Sequence, residues 1–186
     1  MTLDAFSLKE KQVLITGGAG LLGTQHAIAV QSAGGRAILA DINLQRLEAA
    51  SKEVQEKTGT APNIFEVDIT QKEAVLNLAE EIRRGLPGDP HILINNAAID
   101  PKFDGAGSDS HPSRLENFPL EQWSREISVG LTGALICSQV FGALMAERGS
   151  GVILNIASDL GVIAPDQRIY RKPGLGENQQ PVKPVT

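Results

Sequence analysis

Four short apolar runs punctuate the chain, QVLIT (12–16), RAILA (36–40), NIFEV (63–67) and HILIN (91–95), and GVILNIA (151–157) makes a fifth. They are aliphatic, with little alternation of polar and apolar positions, the pattern of strands covered on both faces. Between them lie longer stretches of helical periodicity that start near Gly20, Asn43, Gln71 and Pro119. Strands alternating with helices imply an α/β fold with a parallel sheet. In DITQKEAV, Thr70 precedes Glu73 by three residues, the spacing of a reciprocal helix cap. The helix from Pro119 is the longest and most apolar. Trp123, Ile127, Leu131, Leu135 and Ile136 recur along it at roughly helical spacing, so that face is expected in the core.

Two segments interrupt this rhythm. Residues 99–118 are too rich in Gly, Ser, Asp and Pro to form an element, and residues 159–186 read as an irregular tail after a first domain spanning 1–158. Loops of this kind at the carboxyl ends of strands serve either as substrate walls or as plain surface connections.

Composition narrows the partners. The net charge of −5 is spread along the chain rather than blocked, which leaves no basic stripe for nucleic acid or an anionic membrane surface. The first residues lack the pattern of a secretion signal, and the apolar stretch 129–146 is interrupted by Thr132, Ser138 and Gln139, so a cytoplasmic protein without a membrane span is expected. The single cysteine, Cys137, has no disulfide partner in the chain and reads as a small core residue. His26, His91 and His111 show no metal-ligand spacing, and no metal is expected.

The chemistry concentrates after the first strand, in TGGAGLLG (16–23). Gly17, Gly20 and Gly23 allow a tight turn, a close approach of backbone to a pyrophosphate, and close packing of the helix on the sheet; the helix amides then face the anion, with Leu21 and Leu22 in the same turn. A purely structural turn is the other reading. A triphosphate-binding loop is excluded because the lysine before Thr24 is missing. Asp41 ends the second strand, where a carboxylate accepts the adenosine ribose hydroxyls and repels a 2′-phosphate, which favours NAD over NADP; alternatively Asp41 or Asn43 only caps the next helix. Asp68 ends the third strand on the same rim and can meet the adenine amino group, with Ile69 over the ring.

TGGAGLLG, DIT (68–70), NNAA (95–98) and GVILNIAS (151–158) together resemble the short-chain dehydrogenase/reductase family, in family order and at family-like spacing. The resemblance implies a Rossmann-type doubly wound parallel sheet in three α/β/α layers and an NAD(P)-dependent oxidoreductase moving a hydride between the nicotinamide and a secondary alcohol or carbonyl. It also implies a small-molecule substrate and homo-oligomeric full-length relatives. It places Asn95 and Ala97 along the coenzyme and Ser158 on the substrate oxygen. The family's proton donor is a tyrosine with a lysine four residues later. The one tyrosine here, Tyr170, is followed at that distance by Gly174, and Lys172 falls on nearly the opposite side of any helix. Gly130 stands where the family commonly has an asparagine that supports the proton relay. The expectation is a chain that stops just before its Tyr-x-x-x-Lys helix, with Thr186 a candidate N-cap and the later strands and helices missing. Such a chain turns over little or no substrate and exposes apolar surface where those strands would pack. The alternative is a non-catalytic dinucleotide-binding module or pseudoenzyme.

Overall fold

The structure, a computed structural model, describes residues 6–100 and 111–183. They fall into two compact units, Met1–Ala98 with Val129–Ile156, and Ile99–Ser128 with Ala157–Thr186. The first contains β1 (Gln12–Thr16), α1 (Leu21–Ser32), β2 (Arg36–Asp41), α2 (Leu44–Thr58), β3 (Asn63–Glu66), α3 (Lys72–Gly85) and β4 (Ile92–Asn95). The chain returns to it, after α4 (Leu120–Ile127) in the second unit, with α5 (Ala134–Glu147) and β5 (Val152–Asn155).

The five strands form one parallel sheet in the order β3-β2-β1-β4-β5. Successive side chains of a strand point to opposite faces, so each apolar run feeds two cores at once. Val13 and Ile15 of β1 join Ala37 and Leu39 of β2 under α1 and α2, where Ala27, Val30, Leu47 and Val54 close the layer. Leu14 and Ile38 turn the other way and pack with Leu93 under α3 and α5, against Val75, Leu78, Ile82, Cys137, Val140 and Phe141. This is the doubly wound three-layer Rossmann-type arrangement. Strand order reverses between β1 and β4, and the crevice at their carboxyl ends is where such sheets take ligands.

Local expectations hold at the helix starts near Gly20, Asn43, Gln71 and Pro119, which are the N-cap residues of α1 to α4. The reciprocal cap at Thr70 does not form. Thr70 instead donates its hydroxyl to Asp68 Oδ1 at 2.7 Å, and α3 begins one residue later without a side-chain cap. The expected apolar face of the long helix also needs correction: Trp123, Leu131 and Leu135 are exposed, and burial falls on Ile136, Cys137, Val140, Phe141 and Met145. The cause is that the helix widens to π geometry over Ser128–Gly133, so an apolar stripe counted at ordinary helical spacing does not continue through it. Cys137 is fully buried, and burial pushes its thiol pKa up to about 12. The run Leu120–Glu147 is long and apolar enough to cross a membrane by composition, a test that core helices also pass, and α5 packs on α3 and the sheet.

The second unit holds α4 and short 3-10 turns joined mainly by polar contacts. His111 N donates to Asn178 O at 2.9 Å, Val182 N to Ser113 Oγ at 2.9 Å, and Lys183 N to Gln167 Oε1 at 2.8 Å. His111 Nδ1 lies 2.8 Å from Ser113 Oγ, and both residues are buried.

Candidate functional site

The turn from β1 to α1 is held closed by steric and hydrogen-bond constraints that leave room for glycine alone at key positions. Gly17 has φ +62°, and a Cβ there would sit 2.8 Å from Ala97 Cα. A Cβ on Gly23 would lie 2.3 Å from Gly17 O, and one on Gly18 would lie 2.7 Å from Leu39 Cβ. Gly20 is less confined, with 3.2 Å to Gly17 O. The turn therefore folds onto itself, onto β2 and onto the exit of β4.

Thr16, which opens the glycine-rich octapeptide, and Asn96, the second residue of NNAA, lock it there. The buried Thr16 hydroxyl accepts from the main-chain N–H groups of Asn96 and Ala97 at 3.1 and 3.2 Å and donates to Ile94 O at 3.4 Å. Asn96 Nδ2 donates back to Thr16 O at 3.0 Å and Gly17 O at 3.2 Å. The sequence signals for this clamp are the threonine that opens TGGAGLLG and the second asparagine of NNAA, directly after the strand.

Asp41 faces the same turn. Its Oδ2 accepts from Ala19 N and its Oδ1 from Asn43 N, both at 3.2 Å. Asn43, not Asp41, caps α2, its Oδ1 accepting from Arg46 N at 2.9 Å. Asp68 Oδ1 accepts from Thr70 N at 2.9 Å, and Ile69 is buried in the core cluster under α3. Asn95 is turned inward: its Nδ2 donates to Asn155 Oδ1 at 2.8 Å and Ser138 Oγ at 3.0 Å, tying β4 to β5 and α5. Its backbone ends the strand from which Asn96 and Ala97 reach the glycine turn. Leu21 and Leu22 are exposed at the first turn of α1.

That first turn is the chemically open feature. The N-cap residue Gly20 offers no side-chain cap, and no acidic side chain lies in the first turn. The amides that open α1 thus keep free N–H groups and the positive helix end beside a concave glycine backbone, which fits the pyrophosphate of a dinucleotide. The cradle exists because Cβ atoms are missing where they would fill it.

Ser158 and Tyr170 belong to the second unit. Ser158 is exposed and caps a 3-10 turn, Oγ accepting from Leu160 N at 3.1 Å. Tyr170 ends another 3-10 turn, Gln167–Tyr170, after which Gly174 adopts φ +81°. The Lys172 main chain is bound on both sides by Gln180, whose Oε1 accepts from its N–H at 2.8 Å and whose Nε2 donates to its carbonyl at 3.1 Å. No helix presents Tyr170 and Lys172 together. Gly130 lies within the π segment with nothing close to its Cβ position, and Thr186 lies outside the described residues.

The model of the short chain dehydrogenase family matches residues 11–170. The chain belongs to that family. Among its relatives are a short chain dehydrogenase/reductase of Gibberella zeae, 39% identical over 154 residues, which cover 82% of this chain and 53% of the relative. Another is the 2-dehydro-3-deoxy-D-gluconate 5-dehydrogenase of Bacillus subtilis, 33% identical over 166 residues, covering 87% and 60%. The crystal structure of an NAD+-bound xylitol dehydrogenase superimposes with a TM-score of 0.72 at 27% identity, covering 85% of this chain and 56% of that one. The chain thus spans just over half the length of such relatives. Short chain dehydrogenases are oxidoreductases that use a nicotinamide dinucleotide, and the glycine turn, Asp41 and the Asn96 clamp lie on the matched part.

Proposed function

We propose that this chain is the coenzyme-binding portion of an oxidoreductase that interconverts a secondary alcohol and a carbonyl on a small molecule, and that its preferred coenzyme is NAD. The observation that carries the reading is the uncapped start of α1 set against glycines that Thr16 and Asn96 hold in place. When bound, the coenzyme supplies the hydride acceptor or donor. The residues that would hold it are the amides of the first turn of α1 at the pyrophosphate, Asp41 at the adenosine ribose, and the Asn96–Ala97 backbone beyond the end of β4. Each carboxylate oxygen of Asp41 accepts one backbone bond and retains a further lone pair for a ribose hydroxyl. A 2′-phosphate brought to the same carboxylate meets like charge, which supports NAD over NADP.

Binding and turnover separate in this chain. Ser158 is present, but its hydroxyl caps a turn, and Tyr170 has glycine where the family's lysine would stand. The 186-residue protein is therefore expected to bind coenzyme with little or no turnover, as a non-catalytic dinucleotide-binding module would.

Titration calorimetry with NAD and NADP, beside an NADH absorbance assay on secondary alcohols and ketones, tests both halves. NAD should bind more tightly than NADP, and Asp41→Asn should narrow the difference. A folded protein that takes up neither coenzyme defeats the binding reading, and steady turnover defeats the second half alone.

A further inference from the structure

A buried hydrogen-bond relay joins two arms of the second unit, residues 111–114 and the segment 177–183. Val182 N donates to Ser113 Oγ at 2.9 Å, which leaves the hydroxyl proton of Ser113 for His111 Nδ1, 2.8 Å away. Ser113 N donates to the same ring nitrogen at 3.2 Å. Both donors require an unprotonated Nδ1, so the ring is the neutral tautomer with its proton on Nε2. His111 N adds a bond of its own to Asn178 O at 2.9 Å. His111 is 4% exposed and Ser113 3%, so water does not reach these groups while the arms are closed.

We propose that His111 and Ser113 form an acid-opened clasp: a proton on Nδ1 releases residues 178–182 from the 111–114 arm while the parallel sheet stays folded. Protonated at both nitrogens, the ring only donates. The buried Ser113 N–H then faces another donor, the Ser113 hydroxyl loses its acceptor, and the imidazolium is held away from water. Swinging the turn outward relieves all three and breaks the bonds to Val182 and Asn178.

The surrounding charges supply no counter-ion for the imidazolium. Among the described residues Lys172 is the one charge that acts on the ring, and it has the same sign. The carboxylates of the segments that meet here are already engaged: Glu116 with Arg114, Glu177 with Arg171, and Asp100 with Lys183. What the clasp releases is a built piece. Gln180 brackets the main chain of Lys172 and donates to Leu175 O at 2.9 Å, and Gln167 brackets the main chain of Lys183 at 2.8 and 3.3 Å. Side-chain amides do not titrate, so residues 167–183 keep these bonds and move as one body. The other links between the arms, Arg114 Nη1 to Glu177 O and the Lys183–Asp100 pair, are exposed and hold weakly.

Amide hydrogen exchange on the 186-residue protein across the acid range, with the His111 ring followed by NMR, tests the clasp. The Val182 and His111 amides should lose protection together, about tenfold for each pH unit below 6.5, levelling off once the ring of the closed arm is itself protonated. The amides of Leu14 and Ile38 in the sheet should stay protected. His111→Asn offers an acceptor that does not titrate and should keep Val182 protected through the same range, whereas Ser113→Ala should leave it open at every pH. If the His111→Asn arm does not close, the wild type decides by itself: the midpoint of Val182 opening must match the titration of the ring. Val182 protection that holds while the ring titrates, that is lost only together with Leu14 and Ile38, or that still falls with pH in a closed His111→Asn arm overturns the proposal.

Discussion

The glycine turn and the stretch from Ser158 to Tyr170 carry the two halves of one expected active site, yet they are built by opposite means. At the turn, the position of each backbone atom is set several times over: by the left-handed φ of Gly17, by contacts that admit no Cβ at residues 17, 18 and 23, and by the Thr16 and Asn96 clamp. Ser158 and Tyr170 sit in short 3-10 turns capped by the side chains of Ser158 and Asp166, the second also tied through Gln167 to the main chain of Lys183. Anion binding by backbone amides needs a preformed cradle, and here one exists. Proton transfer by the family's route needs a side-chain pair in register, and among the described residues Tyr170 has no lysine four positions on.

The largest effect expected on this contrast comes from filling the cradle. Gly23→Val places a side chain 2.3 Å from Gly17 O, and Gly17→Val adds a left-handed φ to a 2.8 Å contact with Ala97 Cα. Either should cost about 3 kcal/mol of stability or more and abolish NAD uptake, as read by urea unfolding and calorimetry. Gly20→Ala, with 3.2 Å to its nearest neighbour, serves as the mild comparison. Near wild-type NAD binding by Gly23→Val would show that the turn is not the coenzyme cradle.

Next comes the clamp. Thr16→Val keeps the shape of the side chain but leaves the amides of Asn96 and Ala97 without their acceptor. Leaving buried donors unsatisfied costs about 2 kcal/mol, and coenzyme affinity should fall with it. If stability falls while NAD affinity holds, the clamp serves the sheet and not the site.

How far the turn could be read in advance follows from the range of its interactions. A strand, a glycine-rich octapeptide and a helix are adjacent in sequence, and Asp41 follows at the end of the next strand, so local pattern sufficed for them. The Thr16–Asn96 bonds span about eighty residues and exist only because β1 lies beside β4, a pairing that composition does not disclose. Gly18 is similarly confined by Leu39 through the β1–β2 register. The apolar stripe of the long helix does not run through to the core face because periodicity assumes one continuous helical repeat, which the π segment breaks. Thr70 does not cap α3 because the N-cap falls one residue later, at Gln71, and the Thr70 hydroxyl is instead engaged locally, donating to Asp68 Oδ1 and accepting from Gln71 Nε2.

Acid should touch both units more gently. His91 Nδ1 accepts from Gln12 N at 3.2 Å, and burial, then Arg148 and Lys11, hold its pKa below the ordinary histidine value of 6.5. In the second unit His111 accepts from Ser113 N at 3.2 Å, and burial, then Lys172, act in the same direction. Each ring is neutral in the folded state and protonates more readily unfolded. Their contribution is therefore complete above pH 6.5 and is lost as pH falls below that value through the folded pKa. Urea midpoints should be level above that point and decline below it, with both histidines titrating below 6.5 by NMR. A ring that titrates above 6.5 would remove that histidine from the account.

The smallest effects are expected where the family's chemistry would lead one to expect the largest. Ser158→Ala removes one exposed cap, worth about 0.5 kcal/mol, the low end of the range for caps, and Tyr170→Phe removes a hydroxyl at the end of another turn. Neither should alter NAD affinity, because the groups that fit the pyrophosphate and ribose are backbone amides and Asp41 in the other unit. The measurement is informative because the two regions make opposite forecasts: a Gly23→Val protein that loses NAD beside a Ser158→Ala, Tyr170→Phe protein that keeps it localises coenzyme recognition to the turn. If instead the double variant weakens NAD binding tenfold, about 1.4 kcal/mol, the second unit contributes to the coenzyme pocket and the contrast between a preformed cradle and a bystander segment is wrong.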